Sequence, residues 1–213
     1  MAKPDRSEFT RCERAIVDAC RTPRAVERWL RGLVYNSETA GETLRSFRGV
    51  VRHGVVHCLE AALAAATVLE QHGFPALLLS FQSVDLLDHV IYPFQGRDGR
   101  WGAVARSRDP GLHGRKPVFR SPRALAASYM EPYVDFSGRI RGFVVVDLAE
   151  LGGYDWRLSE RNVWKVERWL LATPHHRLPM PEARYRRAYR RYVRFRERYP
   201  GRKPLYYDRS NWL

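Results

Sequence analysis

The longest apolar stretch in the chain runs from Cys58 to Leu69. There Leu59, Ala61, Ala62, Leu63, Ala64, Ala65, Ala66, Val68 and Leu69 leave almost no polar face. Alanine and leucine are strong helix formers, and a helix apolar on nearly every side is one buried all round. Gly73 and Pro75 supply its stop. Shorter apolar runs follow. Residues 76–82 (Ala76-Leu77-Leu78-Leu79-Ser80-Phe81-Gln82) and 143–148 (Phe143-Val144-Val145-Val146-Asp147-Leu148) have the length of buried strands. Residues 88–94 and 101–106 flank Gln95-Gly96-Arg97-Asp98-Gly99-Arg100, whose Asp-Gly pair predicts a hairpin. Around these runs the spacing changes to about 3.6. Residues 7–33 repeat Ala15, Ile16, Cys20, Val26, Trp29, Leu30 and Leu33, with Thr22-Pro23 as the cap between two helices. A short helix is expected at about 38–47, a second from Ser121-Pro122 to about Met130, and a third over 159–171 on Val163, Trp164, Val166, Trp169 and Leu170. His175-His176 falls in a loop. The last helix, about 182–198, carries a tyrosine stripe (Tyr185, Tyr189, Tyr192, then Tyr199) and eight arginines on its other faces.

This order of elements predicts an α+β fold: a central helix packed on an antiparallel sheet, with N- and C-terminal helical extensions. At 213 residues it reads as a single domain, 1–213. The core covers about 35–150, the N-terminal extension 7–33 and the basic C-terminal extension 159–213. No apolar run reaches 18 residues, so no transmembrane segment is expected, and the N-terminus has no apolar signal region. Three cysteines without a disulfide-framework spacing fit a reducing, cytoplasmic setting. Charge alters the picture at one end. The net charge is +14, and residues 181–213 hold 11 Lys/Arg against 3 Asp/Glu, more than half of that excess. Such a field attracts nucleic acid, an acidic protein or a membrane surface, with Arg187, Arg190, Arg191 and Arg194 as the contacts. The plainer reading is a helix that docks its aromatics and leaves its arginines solvated.

Candidate chemistry lies at the start of the central helix. A thiol in a first helical turn meets unpaired N–H groups and the positive end of the helix dipole, which favour thiolate, although Glu60 in the same turn opposes it. His89 comes 31 positions after Cys58, far enough for the helix to end and one strand to intervene. A helix-start cysteine facing a strand histidine is the arrangement nucleophilic thiol catalysis needs. Singly, each is more often structural: a cysteine serves as a small hydrophobe, a histidine is simply hydrogen-bonded. Together they favour catalysis. His53 and His57 are four apart, but Gly54, Val55 and Val56 argue against the helix a metal pair requires, so His57 reads as a neighbour that is structural or tunes the nucleophile. Cys12 and Cys20 make no metal site. Asn36 is either a helix cap or a donor to an oxyanion, and capping is the commoner use. Arg115 and Lys116, in a basic loop beyond the hairpin, either border a cleft and meet an acidic group or are merely solvated.

The matching pieces are His57-Cys58-Leu59-Glu60-Ala61-Ala62, Asp88-His89-Val90, Trp101-Gly102-Ala103-Val104-Ala105-Arg106-Ser107 and Pro117-Val118-Phe119-Arg120-Ser121. With the hairpin return Gly99-Arg100-Trp101-Gly102, they resemble the transglutaminase-like branch of the papain-like superfamily, in particular a group of bacterial transglutaminase-like proteins. The resemblance is good over about 35–130. It implies a papain-like core, Cys58 as nucleophile and His89 as base. It also implies a peptide or small amide or ester substrate, water or an amine as acceptor (peptidase, amidase or acyltransferase), and no cofactor or metal. The family's third member, an aspartate soon after the tryptophan, falls here at Ala105, and Ser107 and Asp109 are the nearest polar substitutes. That departure keeps a rival in view: a catalytically impaired binding module for a peptide or an anionic partner. A plain nucleic-acid-binding protein rests on charge alone. The oligomeric state stays open.

Overall fold

The computed structural model describes residues 3–39, 41–86, 89–204 and 208–213. The chain starts with two short helices, α1 (Arg11–Ala19) and α2 (Pro23–Gly32), then a two-residue strand β1 (Val34–Tyr35). Thr10 and Glu13 cap α1 reciprocally. Thr22 caps α2 with Pro23 at its first position, as the sequence pattern predicted. Next come α3 (Phe47–His53), β2 (Val55–Val56) and the central helix α4 (Cys58–Glu70). Every residue of α4 from Leu59 to Glu70 is buried. Each fully buried leucine or valine there is worth about 1.5–3 kcal/mol.

Four strands follow: β3 (Leu77–Ser83), β4 (Val90–Gln95), β5 (Trp101–Val104) and β6 (Arg115–Phe119). After them come α5 (Pro122–Ala127), α6 (Met130–Tyr133), β7 (Ile140–Asp147), α7 (Trp164–Ala172), β8 (His176–Arg177) and α8 (Glu182–Arg198). The architecture is α+β. Six strands form one sheet in the order β6-β5-β4-β3-β7-β8, antiparallel at every pairing. The expected hairpin joins β4 to β5 with Gln95 opposite Trp101 and Tyr92 opposite Val104. Side chains alternate across the sheet. Leu78, Val90, Tyr92 and Phe94 face the core built around α4. Leu79, Phe81 and Ile91 face a second core under α5 and α6.

Five expectations change. Arg115 and Lys116, expected in a basic loop, open strand β6. Among the described residues of 38–46 no helix forms, because side-chain acceptors take the N–H groups: Glu38 Oε1 binds Thr43 N, Asn162 Oδ1 binds Leu44 N, and Glu60 Oε1 binds Arg45 N. The helix starts later, at Phe47, with Ser46 as its cap. The helix expected over 159–171 begins only at Trp164. The helix from Ser121 divides into α5 and α6. His176 opens an edge strand on β7 instead of lying in a loop.

α8 sits on α6 through Glu131, which accepts from Arg184 at 2.7 Å and Arg191 at 3.0 Å. Ala188 and Tyr192 are its buried positions, and Tyr192 meets Phe136 edge-on at 4.9 Å. The chain end returns to the sheet, where Trp212 bridges Arg115. Among the described residues no helix is long and apolar enough to cross a membrane.

Candidate active site

Three local devices bring the site together. Gly54 ends α3 in the left-handed region (φ +66°) and turns the chain into β2. β2 pairs in parallel with β1, Val34 with Val55 and Tyr35 with Val56, which sets Tyr35 and Asn36 beside His57 and Cys58. Cys58 is then the first residue of α4, preceded by His57 in extended conformation. The first bond inside the helix runs from Ala61 N–H to the His57 carbonyl. The N–H groups of Cys58 and Leu59 therefore have no intrahelical acceptor.

Two imidazoles converge on the Cys58 thiol. Burial pushes that thiol up, but hydrogen bonds from His57 and His89, reinforced by their charge, hold it down at about 5. The Nε2 of His89 lies 3.2 Å from the Leu112 carbonyl. A carbonyl only accepts, so Nε2 carries the hydrogen and Nδ1 is left for the thiol. The His89 ring stacks on Phe81 at 6.0 Å with an interplanar angle of 5°, and tilts against Tyr129. His57 is built the same way: its Nε2 lies 2.9 Å from the Thr43 carbonyl. Burial opposes its protonation, yet the bond to Cys58, the thiolate charge and Glu60 raise it to about 9. Cys58 and His57 are thus poised as a thiolate–imidazolium pair between roughly pH 5 and pH 9.

Glu60, which by sequence opposed the thiolate, is fully buried and faces away to other donors. It accepts from His57 N at 3.0 Å, Arg45 N at 2.9 Å and Arg45 Nη1 at 3.2 Å. The arginine offsets its charge.

The remaining predicted residues are placed as follows. Ser107 Oγ accepts from Asp109 N, and the Asp109 carboxylate meets Lys203 at 3.0 Å. Neither is a hydrogen-bond partner of His89 among the described residues, and the Leu112 carbonyl occupies the position expected of a third member. Both still line the cleft. Asn36 caps no helix. Its Nδ2 donates to Thr43 Oγ1 at 2.7 Å and to Glu60 at 3.5 Å, so its donors are spent away from any oxyanion. Arg115 is fully buried, donating to the His113 and Gly111 carbonyls at 2.6 Å each and stacked over Tyr129. Lys116 donates to the Ser210 carbonyl, and neither of these two lines the cleft. Arg187, Arg190 and Arg194 are exposed on α8, whereas Arg191 is drawn into the Glu131 pair. Asp88, which precedes His89 in the sequence motif, lies outside the described residues, as does Leu87.

Other contributors escaped the sequence reading. Glu27 of α2, buried, accepts from Ala105 N at 2.9 Å, Gly114 N at 3.1 Å and Arg31 Nε at 2.9 Å. Burial pushes its carboxyl up, while Arg31 and the two N–H groups pull it down. It thereby clamps both ends of the 105–114 segment that presents the Leu112 carbonyl. Only glycine fits at 114, because a Cβ there would lie 2.6 Å from Glu27 Oε2 and from the Ala103 carbonyl. Tyr35 lines the cleft, and burial together with the Cys58 charge holds its phenol protonated well above the ordinary range. The only available signals were the burial-prone helix carrying Glu27 and the β1–β2 contact, and a backbone acceptor such as Leu112 leaves no residue type to read.

The cleft has a volume of about 480 Å³, with Cys58, His57 and His89 in its lining. Among the described residues no cluster of three or more His, Cys, Asp or Glu is placed to hold a metal. No family model matches the chain, and no curated protein matches it.

Proposed function

We propose that the chain is a thiol acyl-transfer enzyme of transglutaminase-like kind, acting on amide or ester carbonyls. The observation that carries this reading is the Cys58 thiol at a helix start between two imidazoles, each anchored on its far nitrogen by a backbone carbonyl. In this reading the Cys58 thiolate attacks the carbonyl carbon. The oxyanion is met by the Cys58 and Leu59 N–H groups, with the Tyr35 phenol as a further donor on the same wall. His89, holding the thiol proton on Nδ1, gives it to the departing amine or alcohol, and a thioester remains on Cys58. Water or an amine, deprotonated by His89, attacks the thioester and releases Cys58. His57 stays protonated and holds the thiolate in place.

Ala105, which prompted the impaired-module alternative, costs the site a carboxylate but not an acceptor. A neutral carbonyl orients the imidazole without adding charge to support the imidazolium. The experiment is the rate of Cys58 alkylation against pH, read by mass spectrometry on the labelled peptide, in the native chain and in His89→Ala. Native Cys58 should reach half its maximal rate near pH 5, far below the about 8.5 of a free thiol, and lose reactivity at low pH without His89. A thiol that reacts only above about pH 8, indifferent to His89, ends the proposal.

A further inference from the structure

We infer that a second pocket, behind the wall that holds the nucleophile, binds a small dianionic oxyanion and acts on Cys58 through Arg45. The pocket lies between α3, the segment leading into it and the segment 159–162, and has a volume of about 220 Å³. Thr43 lines both this pocket and the active-site cleft, so the two share a wall. Arg45, Arg52 and Arg161 line it, and among the described residues Glu160 is the one carboxylate that does. Glu160 is already engaged by Arg52, with Arg48 4.0 Å away.

The unspent groups are donors. Arg45 spends Nη1 on Thr43 Oγ1 at 2.9 Å and on Glu60 Oε1 at 3.2 Å, and its Nε and Nη2 have no hydrogen bond among the described residues. Its stem is laid across Gly49, where a Cβ would come 2.9 Å from the Arg45 Cβ. The Arg161 guanidinium is exposed and has neither hydrogen bond nor ion pair among the described residues. Asn162 accepts from Leu44 N through Oδ1, which leaves its Nδ2 as a donor. His53, exposed at the end of α3, also lines the pocket. A concave site with spare guanidinium forks and no spare carboxylate suits the oxygens of a sulfate, a phosphate group or a dicarboxylate.

Arg45 also joins this pocket to the reacting thiol. Its backbone N–H and its Nη1 both go to Glu60 Oε1, while Glu60 Oε2 accepts from His57 N at 3.0 Å. The Thr43 carbonyl holds His57 Nε2 from the same wall. An oxyanion on the outer side of Arg45 shares the guanidinium with Glu60, leaves less of its charge to offset that carboxylate, and adds its own field. Both effects disfavour a negative sulfur at Cys58. The other groups around the sulfur are His57, His89 and the Tyr35 phenol, with Arg108 and Asp109 also in the cleft lining, and none of these lines the second pocket.

Sulfate is the probe, because it keeps both charges at every pH used. Backbone amide shifts are followed by NMR in the native chain as sulfate is added, with chloride holding the ionic strength constant. The exposed arginines of α8 report non-specific attraction to a basic surface. Amides of 45–53 and 159–162 should saturate at a sulfate concentration about tenfold or more below that of α8, and Arg161→Gln should remove the difference. At pH 5, near the Cys58 midpoint, saturating sulfate should slow Cys58 alkylation by neutral iodoacetamide about twofold or more, and should lose that effect in Arg161→Gln. Tighter saturation by phosphate than by malonate assigns the site to a phosphate group, and the reverse assigns it to a dicarboxylate; either supports the inference. Pocket and α8 amides shifting over the same range overturn the site. Localised saturation that leaves Cys58 alkylation unchanged overturns its action on the nucleophile. The alkylation profile without sulfate, which tests the acyl-transfer reading, stands apart from both.

Discussion

The cleft wall and the C-terminal helix are the two places where like charges crowd, and they behave differently. On α8 the arginines divide by direction. Arg184 and Arg191 turn inward to Glu131, Arg186 pairs with Glu182, and Arg196 donates to the Tyr192 hydroxyl. Arg187, Arg190 and Arg194 face water, where their fields fade within about 8–10 Å at ordinary salt. On the cleft wall, Glu38 and Glu42 are exposed and Glu167 is half-buried: burial and then Glu42 raise its carboxyl, His57 lowers it and Glu38 raises it. A charge counts for recognition in proportion to its confinement. The net +14 says little about what reaches Cys58, because most of that charge is spread over wet surface and the groups that act on the thiol are the His57 and His89 imidazoles.

The strongest separation of the two regions is kinetic. If the proposed acyl transfer is right, His89→Gln should lower it by about 10²–10⁴-fold, the range for losing a positioned acid–base group. Arg190→Gln should leave it unchanged. Equal losses in both variants would mean that the helix belongs to the reaction.

Glu27→Ala should have the largest effect on stability. It leaves the Ala105 and Gly114 N–H groups without their acceptor and breaks the Arg31 pair, an expected loss of about 3–5 kcal/mol in urea unfolding. Glu27→Gln keeps the side-chain shape and an acceptor oxygen. It should fold better than the alanine variant while still slowing acyl transfer, because the clamp on the segment bearing the Leu112 carbonyl is weakened. Full activity in a stably folded Glu27→Gln would show that the clamp is not needed to orient His89.

What was legible in the sequence follows from how local each signal is. α4 was legible because its apolar character and its stop at Gly73 are both local, and the β4–β5 hairpin because an Asp-Gly pair states its own turn. The juxtaposition of Cys58 and His89 followed from spacing between two such elements. The segment 38–46 was misread because its N–H groups find acceptors on Asn162 and Glu60, far along the chain. Ser107 and Asp109 are the nearest polar side chains to the Ala105 position, but a backbone acceptor carries no residue type that a sequence can show. The acceptor is the carbonyl of Leu112, in a segment held by Glu27, which lies 78 residues before Ala105 and 87 before Gly114. The acidic wall was hidden for the same reason: Glu38 and Glu42 come from one loop and Glu167 from α7, and nothing in the basic sequence around Glu167 announces that they meet.

His57 divides the site more finely. Its pKa is raised to about 9, so it is charged below that pH and supports the thiolate throughout the neutral range. His57→Gln removes that charge, and the midpoint of Cys58 alkylation should climb from about 5 by at least about one pH unit, which is about 1.4 kcal/mol of lost thiolate stabilisation. The direction is fixed: a lost cation can only make the thiolate less stable, so the rate at pH 6 should fall while the rate at pH 9 is nearly kept. An unmoved midpoint would assign the whole of the thiol's activation to His89 and the helix start.

The smallest expected effect lies on α8. Replacing Arg187, Arg190 and Arg194 together by glutamine removes three exposed charges, and surface changes of this kind alter stability by about 0.5 kcal/mol or less each. The rate of Cys58 alkylation should be unchanged, because screened charges on solvated side chains do not reach the thiol. Arg191→Gln differs in kind. It breaks one of the two pairs on Glu131, for a loss of about 0.2–1 kcal/mol. The measurement that can reverse this ranking is oligonucleotide binding against salt. A helix that only docks its aromatics gives no site whose affinity follows salt steeply. A phosphate-binding stripe gives a log–log slope that drops by about one for each arginine removed. If the triple substitution flattens such a slope by about three, α8 is a site of its own with an anionic partner, separate from the cleft at Cys58.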